Sequence, residues 1–377
     1  MKGLDMPQNI KGAKLNLGYP SRRSGLALLS LVALGLAGLP APATAQSRNA
    51  TDDPVAAVAQ YSGADRQAFL ETGARREGRL VVFSSTGDPA ITQIVTAFKA
   101  KYPFLEVSVP CCLNSPTDVT TRAMAEMRSG RSSIGVIETF VSGLNALRQL
   151  KFLTTYSTPN SKLQIPEATD RDGYYIASRS NMRGLAINTK AVSPTEAPKS
   201  WQDLLDPKWR GRITIAGGEA ATGLIAYLQD NQGKDYLEKF AAQKPRLVQV
   251  TARALAEMLL SGEVEISPTI TRAHIAGAIE KGAPVAFVPI SPVVSISTAL
   301  ALPAKSPSPH AAMLFIDFVT SQEGQQIYVK SGFESLSPAF MKQEDAQLKF
   351  VFPESDPGYP RRSNDLADLA TRLFHSQ

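Results

Sequence analysis

Residues 200–215 read SWQDLLDPKWRGRITI and contain both tryptophans of the chain. Ser200 predicts the cap of a short helix, since its hydroxyl can accept a free N–H of the first helical turn. Pro207 ends that helix because proline has no N–H to donate and disfavours helical backbone before it. Gly211 then leads into the β-branched run 213–215. The pattern predicts a fixed corner at which a helix, a turn and a strand meet.

Around this corner, helical and strand patterns alternate along the chain. Apolar residues recur at helical spacing over 91–102, and they alternate with polar residues over 105–109, which indicates a helix followed by a strand. The same alternation continues downstream and predicts an α/β fold, with a mostly parallel sheet covered by helices on both faces. Two further strands, 174–177 and 182–188, are predicted, with a polar crossing between them.

The composition allows a large core, because 43% of the 377 residues are hydrophobic. The formal net charge of +6 lies mainly at the start of the chain. Residues 1–45 hold five basic residues and one acidic residue, a net of +4, which leaves about +2 for the rest. No stripe of lysines and arginines with interleaved aromatics is present, so no nucleic-acid partner is expected.

The first 45 residues have the layout of a cleavable export signal. Arg22 and Arg23 precede the apolar run 25–39, and Ala43-Thr44-Ala45 follows it. The run is shorter than the roughly 20 apolar residues that a membrane span needs, although a retained anchor is the alternative. We therefore predict a signal peptide over 1–45, cut near Ala45, with export to the periplasm by the Sec or the twin-arginine route.

The corner resembles the W-x-D-L-x-D-P-K-W-[KR]-G-[KR] signature of family 1 extracellular solute-binding proteins, the iron(III)-type receptors of ABC importers. Residues 65–83 resemble the first helix and strand of one branch of that family, and SQEGQ at 321–325 resembles its late helix start. The resemblance covers roughly residues 61–338. It implies a two-lobed type II periplasmic-binding-protein fold, with a hinge and a ligand cleft between the lobes.

The resemblance also implies a domain organisation and a function. After a leader and helix over 46–77, lobe 1 would comprise 78–180 and 288–377, and lobe 2 would comprise 181–287, with the C-terminal helices packing on either lobe. The protein would capture a small polar or anionic solute by closing its lobes, and would deliver it to an ABC permease in the inner membrane. We expect a monomer with no catalytic residues and no permanent cofactor.

Ligands of open α/β sheets bind beyond the carboxyl ends of the strands, which places the candidate site in the loops there. These loops carry hydroxyls, amides, one carboxylate and two arginines. The predicted ligand-binding residues are Ser85, Thr86, Asn114, Ser115, Thr139, Arg183, Glu219, Thr222, Thr271 and Arg272.

Several of these loops lead into helices, whose N-terminal N–H groups attract anions. Arg272 and Arg183 each offer a bidentate fork for a carboxylate or a phosphate. The expected ligand is a small carboxylate, a phosphonate or phosphate ester, or a metal–anion complex. Ser, Thr and Asn at such positions also serve as ordinary helix caps, which is the alternative for each residue taken singly.

Two alternatives remain open from the sequence. The first is a ferric-iron receptor, but iron receptors of the family carry a tyrosine pair where this chain has Ile270-Thr271-Arg272-Ala273-His274. The second is a secreted enzyme, but no G-x-S-x-G, H-E-x-x-H or C-x-x-C motif is present. No metal ligands are therefore assigned.

Overall fold

The computed structural model of the chain describes residues 53–87, 89–111, 113, 115–356 and 358–374. The predicted signal peptide, its cleavage point and the candidate residue Asn114 lie outside these residues. Within the described ranges, no helix is long and apolar enough to cross a membrane.

Helices and strands alternate over most of the described chain. The helices are α1 (Pro54–Ala59), α2 (Arg66–Glu77), α3 (Ala90–Lys101), α4 (Pro116–Arg128), α5 (Val141–Gln149), α6 (Glu219–Tyr227), α7 (Lys234–Ala242), α8 (Ala252–Ser261), α9 (Arg272–Glu280), α10 (Pro309–Thr320), α11 (Gln322–Lys330) and α12 (Tyr359–Phe374). The strands are β1 (Arg79–Ser84), β2 (Glu106–Ser108), β3 (Val136–Phe140), β4 (Leu153–Thr154), β5 (Tyr175–Arg183), β6 (Leu185–Asn188), β7 (Thr214–Ala216), β8 (Arg246–Val248), β9 (Ile266–Ser267), β10 (Val285–Val288), β11 (Val293–Pro303) and β12 (Phe350–Val351).

The large sheet has the strand order β12-β11-β3-β1-β2, and β4 and β5 also pair with β11. Strand β1 runs parallel to β2 and β3, whereas β11 runs antiparallel to β3 and β5. Apolar cores cover both faces, one containing Phe98 and Phe315 and the other containing Phe83 and Leu144. We call the part built on this sheet the first lobe.

A second lobe is built on two small sheets. One has the order β10-β6-β9, the other pairs β7 with β8, and a parallel bridge between Ile213 and Ile266 links them. Trp201 and Trp209, the two aromatic anchors of the corner, are both buried in its core. The Ser200 hydroxyl accepts the Asp203 N–H at 3.2 Å, as the sequence predicts for a cap. The capped segment forms 3₁₀ turns, Gln202–Leu205 and Pro207–Trp209, instead of an α-helix.

The chain passes between the lobes at several places. Strand β5 continues through Gly184 into β6, and β10 returns through residues 289–292 into β11. A Cβ on Gly184 would lie 2.9 Å from the Val288 carbonyl oxygen, so the absence of a side chain lets the two crossings pack together. Near the C-terminus, β12 pairs in the large sheet, whereas α12 packs into the core of the second lobe through Tyr359 and Leu366.

The prediction of two separate strands around a polar crossing was wrong. Strand β5 is continuous from Tyr175 to Arg183, and it pairs with β11 over most of its length. The polar residues stay in the strand because neighbouring groups satisfy them: the Asn181 amide donates to the Ile296 carbonyl and to the Thr298 hydroxyl, both at 2.9 Å. A polar run indicates a loop only when no partners of this kind are available.

Candidate functional site

Strand β5 presents Arg179, Asn181 and Arg183 on one face, because side chains at alternate positions of a strand point the same way. The Arg179 guanidinium is only 3% exposed. Its Nε and Nη2 atoms donate to the Thr86 hydroxyl at 3.1 and 3.0 Å, and its Nη1 atom donates to the Asn181 amide oxygen at 2.6 Å. The Phe333 ring lies 4.1 Å from the guanidinium carbon. Burial lowers the pKa of Arg179, yet arginine keeps its charge at neutral pH.

Glu138 in the middle of β3 organises the hydroxyl groups next to Arg179. Its carboxylate accepts hydrogen bonds from Ser84, Ser178 and Tyr328 at 2.6 Å, and from Thr86 at 3.0 Å. The Thr86 hydroxyl therefore donates to Glu138 while it accepts from Arg179. This series of hydrogen bonds from Arg179 through Thr86 to Glu138 fixes the orientation of the guanidinium without a direct ion pair.

Arg183 lies four residues further along β5 and is 4% exposed. The only side-chain hydrogen bond of Arg183 among the described residues is a long one, from Nη1 to the Ala220 carbonyl oxygen at 3.5 Å, and its Nε has no partner there. Burial lowers its pKa, which the charge on Glu219 opposes. A buried guanidinium with unused donors is a strong candidate to bind an anion.

Further unpaired polar atoms lie at the start of α9 and in the loop after β1. Among the described residues, neither the Thr271 hydroxyl nor the Ser85 hydroxyl has a hydrogen-bond partner, and neither does His274 Nδ1. Burial, together with the charges of Arg253, Arg179 and Arg183, lowers the pKa of His274 to about 3. The imidazole is therefore neutral at pH 7. Three guanidinium groups act on this one ring, so they converge on the same region.

Two contacts join the lobes on either side of this region. The Ser142 hydroxyl at the start of α5 donates to the Glu219 carboxylate at the start of α6, at 2.7 Å. On α8, the Arg253 guanidinium approaches the loop after β1 so closely that a Cβ on Gly87 would lie 2.7 Å from its Nη2. The polar region is thus enclosed between the lobes.

The structure brings four of the predicted residues together: Ser85 and Thr86 from the first lobe, Arg183 at the crossing and Thr271 from the second lobe. Other predicted residues have intramolecular partners. Ser115 caps α4 by accepting the Asp118 N–H at 3.2 Å. Thr139 and Thr222 donate to nearby backbone carbonyls, those of Pro116 and Gly218 respectively. Their roles as ligand contacts stay predictions.

Arg272 is held by acidic neighbours. Its guanidinium forms a bidentate pair with Asp345, at 3.0 and 2.6 Å, and its Nε donates to Glu334 at 3.0 Å. Burial raises the pKa of Glu334 to about 7, although Arg272 opposes this shift. In this arrangement the donors of Arg272 are directed at protein carboxylates, so Arg183 is the better candidate for an anion.

The site residues predicted from the sequence did not include Arg179, Asn181, Arg253 or His274. The alternation of Arg179, Asn181 and Arg183 was a usable signal, but it requires β5 to be a strand. Arg253 had no local signal, because only the folding of the second lobe brings α8 to the loop after β1.

Metal-binding clusters and surface pockets are the other features of the described residues that bear on the ligand. No group of three or more His, Cys, Asp or Glu side chains that could hold a metal ion occurs in the part of the chain that the structure describes. A shallow pocket of about 500 Å³ lies on the second lobe beside the tryptophan corner, where Glu196, Asp203 and Asp206 contribute to its wall. Its acidic wall does not suit an anion.

Comparison with known proteins gives matches of three kinds. The family model described as "Bacterial extracellular solute-binding protein" matches residues 145–357. An uncharacterized protein of Haemophilus influenzae is 26% identical over 282 residues, which cover 69% of this chain and 78% of that protein. Solved structures with the same fold share lower identity.

Iron-bound HitA from Pseudomonas aeruginosa is 20% identical with a TM-score of 0.64, over 78% of this chain and 99% of that one. AfuA from Actinobacillus pleuropneumoniae, a periplasmic binding protein with fructose-6-phosphate bound, is 21% identical with a TM-score of 0.64, over 80% of this chain and 99% of that one.

Proposed function

Because the chain belongs to the bacterial extracellular solute-binding proteins, the binding components of ABC importers, we propose that it binds a small anionic solute between its two lobes. The two-lobed periplasmic-binding-protein fold expected from the sequence is confirmed, and so is the family. The ligand, its binding residues and the route of export belong to the proposal.

The unneutralised charge in the cleft supports an anionic ligand. No carboxylate of the described residues lies within 4.0 Å of the guanidinium groups of Arg179, Arg183 or Arg253. Arg179 and Arg183 are buried, whereas Arg253 is exposed. Burying a cation without a direct ion pair is costly, and a bound anion would remove much of that cost at the two buried arginines. The unpaired hydroxyls of Ser85 and Thr271 add hydrogen-bond donors from both lobes.

The expected ligands are a carboxylate, a phosphonate or phosphate ester, or a metal–anion complex. The fructose-6-phosphate of AfuA supports a phosphate-bearing solute, and the iron of HitA supports a ferric receptor. The chain lacks a tyrosine at residues 270–274, and the described residues offer no metal-binding cluster. We therefore favour an organic anion, and we retain a ferric–anion complex as the second candidate.

Closure of the lobes is the mechanism that the cleft supports. An anion that contacts Arg183 and Thr271 as well as the unpaired Ser85 hydroxyl has more partners in the closed form than in an open one. A ligand shifts the equilibrium by its differential affinity for the two forms, so binding favours closure. The closed protein would then dock on an ABC permease in the inner membrane, as a periplasmic monomer released from its signal peptide near Ala45. It would carry out no catalysis.

Mass spectrometry of protein purified from the periplasm tests the ligand class. The mass under native conditions is compared with the mass under denaturing conditions. A difference that matches an organic anion supports the proposal, whereas a difference that matches iron establishes the second candidate.

If the two masses agree, calorimetric titration with inorganic phosphate, sulfate, citrate and ferric citrate follows. Arg183→Met is compared with Arg210→Met, which changes an exposed arginine of the second lobe. We expect Arg183→Met to abolish binding and Arg210→Met to preserve it. If none of the four probes binds the wild-type protein, the anion site is excluded.

A further inference from the structure

A buried carboxyl group from the C-terminal part of the chain meets the cleft between the lobes. The 3₁₀ turn Pro353–Ser355 follows β12 and packs against β11 and α5 of the first lobe and against α6 of the second. Glu354 in this turn is 3% exposed. It is therefore enclosed by both lobes, although it lies far from the other site residues in sequence.

The two oxygens of Glu354 have different environments. Oε1 accepts the backbone N–H of Ser297 at 2.7 Å. Oε2 is buried and has no hydrogen-bond partner among the described residues. A buried carboxyl oxygen without a partner is costly and points to a missing group.

The charged and titratable groups that act on Glu354 lie on β5, α6 and α12. They are Arg183 on β5, Glu219 on α6, Tyr359 on α12 and Tyr175 at the start of β5. Arg183 also carries an unpaired buried atom, its Nε, and no ion pair within 4.0 Å joins it to Glu354 in the described structure. Two unpaired polar groups therefore lie near each other without direct contact, as they would on two sides of a bound ligand.

The surroundings favour the neutral form of this carboxyl group. Burial raises the pKa of Glu354 to about 8, and the negative charge of Glu219 adds to the shift, whereas the Ser297 N–H and Arg183 oppose it. The group therefore holds its proton at neutral pH. Because Oε1 accepts from Ser297, the proton resides on Oε2, which becomes an O–H donor.

We propose that Glu354 is a specificity-determining ligand contact that donates its Oε2–H to the anionic group held by Arg183. This inference rests on the proposed anion site. It narrows the ligand class to oxyanions that are fully ionised and act only as acceptors at this position. Ionised Glu354 would repel such a ligand, and the neighbouring Glu219 carboxylate would add to the repulsion. Binding therefore requires a proton on the Glu354 carboxyl group.

Sulfate is the probe, because it stays fully ionised from pH 6.5 to 9.5 and contributes no titration of its own. For the wild-type protein, the dissociation constant is expected to rise by up to about 30-fold between pH 7 and 9.5, since each pH unit above the pKa changes the protonated fraction about tenfold. Glu354→Gln keeps an acceptor for Ser297 and a donor at the Oε2 position. Its affinity is expected to stay constant over the same range.

Glu334→Gln is the matched control, because Glu334 is also buried but is paired with Arg272. It should retain the pH dependence of the wild type. Thermal unfolding at each pH identifies any variant that does not fold. Calorimetry of the wild type alone, in buffers of different ionisation enthalpy at pH 8.5, should show uptake of about 0.8 proton per sulfate.

The outcomes distinguish the role of Glu354 from the existence of the anion site. Sulfate binding with no pH dependence and no proton uptake overturns the role of Glu354 and leaves the anion site intact. If Glu354→Gln loses as much affinity for sulfate as the wild type does between pH 7 and 9.5, the titrating group is not Glu354. If sulfate does not bind, the same titrations use whichever of phosphate, citrate and ferric citrate binds, and failure of all four probes at pH 6.5 overturns the anion site itself.

Discussion

Two arginines next to the cleft show how the same side chain can weaken or strengthen the fold. Arg183 is buried without a described carboxylate within 4.0 Å, whereas Arg272 is held by Asp345 and Glu334. An unpaired buried charge destabilises the folded protein, and removal of one partner from a buried ion pair leaves an uncompensated charge. The first arginine therefore serves binding, and the second serves stability.

Arg183→Met is expected to raise the free energy of unfolding of the ligand-free protein by about 1–2 kcal/mol, because it removes a buried unpaired charge. Arg272→Met is expected to lower it by about 3–5 kcal/mol, because Glu334 and Asp345 lose their partner. Urea unfolding in a chloride buffer without oxyanions measures both values. A loss of stability in Arg183→Met would show that its charge is already compensated in the folded protein.

The lowered pKa of His274 predicts that the free energy of unfolding depends on pH. The folded pKa of about 3 lies below the ordinary value of 6.5, so the unfolded chain binds a proton between these values and the folded protein does not. The contribution of His274 is therefore fully present above pH 6.5 and is lost as pH falls towards 3, by at most about 1.4 kcal/mol per pH unit.

Urea unfolding of wild type and His274→Gln at pH 7 and pH 5 tests this effect. The wild type should lose more stability than the variant between the two pH values. Equal losses would mean that the folded imidazole can be protonated over this pH range.

At the scale of the element, the tryptophan corner and β5 illustrate what local sequence can specify. Ser200 acts through a hydrogen bond to nearby Asp203, and Pro207 and Gly211 act through their own backbone conformations, so the cap, the end of the first turn and the following strand could be predicted. The polar residues of β5 depend on β11, which lies more than a hundred residues away. Their strand conformation could not be predicted because its partners are remote.

The same distinction between local and remote partners explains which residues of the candidate site could be predicted. Loops after β1 and before α9 could be placed from the order of elements, and they contribute Ser85, Thr86 and Thr271. Whether an arginine is available depends on where distant carboxylates fold. Asp345 and Glu334 reach Arg272 but not Arg183, and nothing near either arginine in sequence indicates this.

The crossing at Gly184 predicts a packing effect. A Cβ there would lie 2.6 Å from the Phe287 ring and 2.9 Å from the Val288 carbonyl oxygen. Gly184→Ala is expected to lower the free energy of unfolding by about 1–3 kcal/mol, because the backbone crossings must separate.

Gly277→Ala in α9 is the matched control, since nothing lies within 4 Å of its Cβ position. It should stabilise the protein by up to about 1 kcal/mol through helix propensity. Thermal and urea unfolding report both effects. Unchanged stability in Gly184→Ala would show that the crossings tolerate separation.

At the scale of the whole molecule, the contacts between lobes predict closure on a ligand. Ser142 and Glu219 meet on one side of the cleft, and Arg253 approaches Gly87 on the other. Small-angle scattering should show a smaller radius of gyration when sulfate or the natural ligand is added. Arg183→Met should show no change under the same conditions. If the wild-type radius is constant with a bound ligand, the protein binds without closing.

The C-terminal strap, taken over its described residues 352–356 and 358, links the first lobe to the second. It begins beside β12 in the first lobe and ends at α12, which is anchored in the second. Extending the 3₁₀ turn Pro353–Ser355 from about 2.0 to about 3.4 Å of rise per residue lengthens the strap by only about 4 Å. The turn therefore acts as a short tether between a strand of the first lobe and a helix of the second.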